Sequence, residues 1–164
     1  PNARGGPPFA NNYHINMVLV SDAGIFFSGL NTGALLRVNA EMQVTLVCSL
    51  PTGCHNAQPF KDGVVFNDTV SNVVRAVDRS GQSFVQKIMM YPETALDYAG
   101  VDSSKIARQG FARGLCVIDD QFVSVGSSPS TITIYDLQAS RRLTGVNLTM
   151  DIRNAIHGLE IWPF

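Results

Sequence analysis

Four side chains with acid–base, metal-binding or anion-binding chemistry stand at the starts of successive stretches of the chain: His14, His55, Arg113 and His157. Neutral imidazoles that converge on a cavity ligate Zn²⁺ or Fe²⁺, or move protons near neutral pH. The histidines His14, His55 and His157 are therefore the expected ligands of a divalent metal ion, with Glu160 near enough in sequence to add a carboxylate. Arg113 pulls the other way. A guanidinium repels a cation and matches a carboxylate or phosphate bidentately, so its presence in the set favours an anionic ligand. A histidine at the start of an inner strand also serves simply to tie neighbouring units together.

Other reactive arrangements are missing. No serine sits in a Gly-x-Ser-x-Gly elbow, and Gly126-Ser127-Ser128-Pro129 reads as a turn. The stretch Val125–Ser130 lacks the lysine and following helix of a phosphate-cradling loop. Cys54 and His55 are adjacent, and neighbours on a strand point to opposite faces, so they do not form a nucleophile–base pair. The three cysteines, Cys48, Cys54 and Cys116, are an odd number, two of them in apolar runs, and read as small core residues.

Composition narrows the class. The chain of 164 residues has 12 basic against 13 acidic residues, 15% charged residues and 45% hydrophobic ones, so it has a core to bury. Nothing in that balance supplies the clustered Lys and Arg of an electrostatic nucleic-acid binder. No apolar run reaches membrane-spanning length, which points to a soluble protein, with the cytoplasm favoured. The first residue is not Met, which leads us to expect processing or a longer chain.

The elements that must position the four side chains are short strands. Apolar, β-branched runs alternate with turn clusters such as Ser21–Gly24, Leu30–Gly33, Lys61–Gly63 and Ser127–Ser130. One unit of four strands is expected over His14–Val20, Ile25–Gly29, Ala34–Asn39 and Val44–Leu50. A second covers His55–Phe60, Val64–Asp68, Val73–Asp78 and Phe84–Met90. A third covers Ala112–Ile118, Phe122–Gly126, Thr131–Leu137 and Leu143–Thr149, and Ile156–Ile161 reads as one further strand. Four antiparallel strands in about 40–50 residues is the arithmetic of a β-propeller blade. The expected organisation is an irregular segment at 1–12 and a single all-β domain at 13–164, with an inserted loop at 91–110. Within that loop, Ser103–Gly110 has the serine start and glycine stop of a short helix.

The stretch from His55 to Thr69, continued by Asn72-Val73-Val74 and Asp78, resembles the repeats of six-bladed propellers: the NHL, gluconolactonase and strictosidine-synthase-like group. The His-x-Asn start, Phe111-Ala112-Arg113-Gly114-Leu115 and Ile156-His157-Gly158-Leu159-Glu160 are similar to a bacterial propeller-like family with no agreed activity. The gluconolactonase likeness implies that Asn16, Asn56 and Asp68 act as oxygen ligands to Ca²⁺ or a similar ion. First strands of blades line the central channel, so the expected ligand-binding set is His14, Asn16, His55, Asn56, Arg113, His157 and Glu160, with His14, His55, His157 and Asp68 as metal ligands. The function expected is a binding or scaffold module that takes a small anionic or carbohydrate ligand, or a protein partner, at the channel mouth. The alternative is a metal-assisted hydrolase or lactonase. Three blades and a strand leave apolar faces open, so we expect a homo-oligomer or the remainder of a longer chain to cover them.

Overall fold

The computed structural model describes residues 12–101 and 107–162. The expected irregular segment at 1–12, the start of the helix at 103–110 and the last two residues of the chain lie almost wholly outside the described residues. Twelve strands are formed among those described: β1 (Ile15–Ser21), β2 (Gly24–Gly29), β3 (Ala34–Val38), β4 (Val44–Ser49), β5 (Cys54–Phe60), β6 (Gly63–Asp68), β7 (Val73–Val77), β8 (Ser83–Lys87), β9 (Gly114–Val117), β10 (Phe122–Ser127), β11 (Thr131–Asp136) and β12 (Arg141–Asn147). They make three open four-stranded antiparallel sheets, each in sequence order from β1, β5 or β9 outward. The chain is an all-β, propeller-like fold of three blades.

Alternation along each strand decides which blade a side chain faces. In β6, Val64 and Phe66 pack toward the first blade in a core with Met17, Phe26 and Leu35, while Val65 points the other way, into a core with Leu115, Val123 and Val125. The second blade is thus buried on both sides. The strand register makes Ile25 and Phe27 equivalent to Val64 and Phe66, and to Val123 and Val125. The pairs in the second and third blades are buried against the preceding blade. In the first blade the same face is open. Two complete rungs run across it, Val20–Ile25–Val38–Val44 and Val18–Phe27–Leu36–Leu46, and every residue in them is apolar.

One detail departs from the sequence reading. The segment Ile156–Ile161, expected as a further strand, enters no ladder. It starts against β9 and β10, where Ile156 donates its N–H to the Ser127 carbonyl at 3.4 Å and accepts the Gly114 N–H at 2.9 Å. Gly114 and Gly126 face each other across β9 and β10, and their missing side chains make the floor on which Ile156 rests. In the inserted loop the described part holds two short 3₁₀ turns, Glu93–Ala95 and Ala99–Val101, and Gly110 has the left-handed φ of +74° that a stop signal uses.

Candidate functional site

The N-terminal ends of the inner strands surround a cavity of about 720 Å³, and His14, Asn16, His55, Arg113 and His157 all line it. Sequence reasoning placed His14, His55, Arg113 and His157 at one equivalent position. The ladder shows otherwise. From the β1–β2 and β5–β6 turns, Ser21 matches Phe60; His55, paired with Asn67, corresponds to Met17, paired with Ser28, and Asn16 is a bulged residue. In the third blade Gly126 takes the place of Asn67 and pairs with Gly114, so Arg113 stands one residue before the His55 position, just ahead of β9. His14 lies just before β1, level with Gly53, and lines the cavity from there. Its backbone lies across Gly29, where a Cβ would come within 2.4 Å of the Tyr13 carbonyl oxygen. The Leu30 N–H donates to the His14 carbonyl at 3.0 Å. His14 itself adopts φ +47°, a conformation uncommon for a non-glycine residue.

His55 is the buried member of the set. Its ring meets those of His14 and Phe111 edge to face, with centroids at 6.2 and 6.1 Å. The Thr69 hydroxyl donates to the Gly53 carbonyl, so its oxygen accepts from His55 Nδ1 at 3.2 Å. That leaves Nε2 as the basic nitrogen of the ring. Burial first, then the charge of Arg113 and the neighbouring His14 and His157, hold His55 down to about 4 against an ordinary 6.5. It is a neutral imidazole at physiological pH.

Arg108 and Phe111, which sequence reasoning did not select, also line the cavity. The Arg113 guanidinium carbon stacks 3.7 Å from the Phe111 ring centroid and that of Arg108 lies 4.6 Å from it. Arg108 also donates to Asn72 Oδ1 at 2.6 Å and to the Thr69 carbonyl. Arg113 donates from Nη1 to His157 Nε2 at 3.0 Å, and its buried Nε has no hydrogen-bond partner. Burial and the charge of Arg108 both lower its proton affinity, and burial and Arg113 lower that of His157. Phe111 lay inside a quoted motif, but only the fold shows that two cations stack on it.

The remaining candidates go elsewhere. Asn56 is a tie between blades: its side-chain amide donates to the Arg113 carbonyl at 3.1 Å and its oxygen accepts from Gln58 at 3.2 Å. Asp68 accepts the Ser71 N–H at 3.0 Å and faces Arg75 at 3.5 Å. Glu160 lines a separate cavity of about 330 Å³ with Gln58, Cys116 and Leu159. Among the described residues, no three His, Cys, Asp or Glu side chains come together as a metal would require. None of the described lining residues of the larger cavity is a carboxylate.

No protein-family model matches the sequence and no curated protein matches it. Among solved structures, the chain is similar to a catalytically inactive virginiamycin B lyase from Staphylococcus aureus with quinupristin, at 13% identity and a TM-score of 0.43. It is similar in the same degree to the selenomethionine-substituted form of that lyase, at 14% identity and 0.43. In both comparisons 79% of this chain covers 43% of the other, so it spans less than half the length of these structures. What the fold and cavity define together is a propeller-like domain with a cationic cavity at the ends of its inner strands. No helix is long and apolar enough to cross a membrane among the described residues.

Proposed function

We propose that the chain is a ligand-binding module whose inner-strand cavity takes a small anionic ligand. One observation carries the reading: Arg113, partly buried and stacked on Phe111, presents its charge to a cavity whose described lining includes no carboxylate. A buried guanidinium without an acidic partner is costly, and an incoming carboxylate or phosphate supplies the missing charge and a forked pair of acceptors. His55 and His157, both shifted toward the neutral form, add polar surface without competing for that anion.

Calorimetric titration with acetate and with sulfate tests this. Saturable binding that is lost in Arg113→Gln, with the variant still folded by circular dichroism, is the expected result. Failure of both anions to bind, or equal binding to Arg113→Gln, overturns it. A parallel titration with Zn²⁺ addresses the metal-assisted hydrolase: stoichiometric Zn²⁺ uptake that is abolished in His55→Ala, without anion binding, replaces the module reading with that one.

A further inference from the structure

Resting on that reading, we infer that Arg113 and His157 form a proton-coupled clamp for a single carboxylate, and that the ligand carrying it has an apolar body. Arg113 Nη1 donates to His157 Nε2 at 3.0 Å, so while that bond is made the imidazole is held as an acceptor and cannot carry a proton at that nitrogen. A carboxylate that binds the guanidinium replaces His157 as the acceptor. The freed Nε2 then takes a proton from solvent and donates it to the second carboxylate oxygen. No covalent bond changes; the ligand arrives as an anion and one proton arrives with it.

The groups facing His157 agree with this. Arg113 is its direct neighbour, His55 is close enough to feel its charge, and His14 and Arg108 line the same cavity, so every described charged or titratable group there is basic. An imidazolium is disfavoured among them until an anion offsets its charge. Burial and Arg113 both pull the proton affinity of His157 downward.

The body of the ligand is set by the rest of the wall. Leu30, Val70 and Phe111 line the cavity alongside the cations, and Val70 is largely exposed there. A cavity of about 720 Å³ is far larger than acetate or sulfate requires and falls within the range that holds small organic ligands. A carboxylate on an apolar ring or chain fills both halves; a sulfate, a phosphate or a polar dicarboxylate fills one.

The test compares benzoate, acetate and sulfate by calorimetry in two buffers of different ionisation enthalpy, from about pH 8 to about pH 6. Benzoate is expected to bind at least about tenfold more tightly than acetate, with uptake approaching about one proton and affinity rising by up to about tenfold per pH unit as pH falls. His157→Gln, which keeps an acceptor for Arg113, is expected to bind benzoate with no proton uptake and a flat pH profile. Val70→Ser is expected to weaken benzoate and leave acetate unchanged. If acetate and sulfate bind through Arg113 but benzoate gains nothing, or binding takes up no proton, this inference falls and the anion-binding module stands. If no anion binds at all, both fall.

Discussion

Asn16, the bulged residue of β1, is bonded to β5, the strand of the next blade that carries His55. Its Nδ2 donates to the Cys54 carbonyl at 3.1 Å and its Oδ1 accepts the Asn56 N–H at 3.2 Å. Both partners are backbone groups of β5, so the pair stitches the first blade to the second. Asn16→Ala leaves a carbonyl and an N–H unpaired between blades and is expected to cost about 1–3 kcal/mol, read from the urea midpoint. Asn16→Asp keeps the acceptor and loses the donor, and falls between. An unchanged midpoint in the alanine variant would show that the stitch contributes nothing to blade association.

The open face of the first blade makes the opposite prediction. Val18 and Val20 are 64% and 73% exposed, whereas Leu115, on the equivalent face of the third blade, is 1% exposed. Leu115→Ala should cost about 2–5 kcal/mol. Val18→Thr should change the stability of the isolated chain by no more than about 0.5 kcal/mol. Two fully apolar rungs facing water also favour association. Sedimentation at micromolar concentration should give an average mass above that of one chain, reduced by Val20→Lys. A clean monomer in both proteins would show that nothing needs to cover this face.

Acid should weaken the fold through His55. Its folded-state value is about 4 and its ordinary value 6.5, so between those limits the unfolded chain binds a proton that the folded chain refuses. The stability this represents is complete above pH 6.5 and is lost as pH falls toward 4. Its size is on the order of 2–3 kcal/mol. His157 is shifted in the same direction and steepens the loss. Urea midpoints measured across this window should fall more steeply for the native chain than for His55→Gln; parallel profiles would mean that His55 takes up its proton without opening the site.

The strands were legible because most are short β-branched or aromatic runs closed by Gly, Asp, Asn or Ser, and a blade sets one such run beside the next. Boundaries moved by a few residues where the turn and not the apolar run decides the end, as in β12, which starts at Arg141 instead of Leu143. The histidines were legible as residue types, and their register was not. Irregularities in pairing at Ile15/Met17 and at His55/Gln58 leave no mark in the sequence, so lining up His14 with His55 by type set together residues from different rungs. Arg108 was hidden for a different reason. It belongs to an inserted loop whose path depends on long-range bonds to Asn72 and Thr69. The strand reading of Ile156–Ile161 failed because hydropathy reports an apolar run, while a strand also needs a ladder partner.

Gly126 connects that last segment to the site. A Cβ built there would lie 2.4 Å from Ile156 Cγ2 and 2.6 Å from Ile156 Cβ, closer than atoms can approach. Gly126→Ala must therefore push Ile156 away from β10, and the Ile156 carbonyl is what the Gly114 N–H bonds. His157 follows Ile156 directly, and Arg113 precedes Gly114, so the displacement pulls apart the two residues whose side chains meet at 3.0 Å. Two outcomes are expected together. The variant should lose about 1–3 kcal/mol of stability, as overpacked sites do. The His157 imidazole, released from burial and from Arg113, should titrate closer to 6.5 when followed by NMR. Gly158→Ala provides the control, since a Cβ at that position meets nothing within 4 Å. It sits beside the same histidine and should leave both the midpoint and the titration where they are. If Gly126→Ala behaves like Gly158→Ala, Ile156 does not rest on the glycine floor in solution, and the clamp has no fixed second jaw.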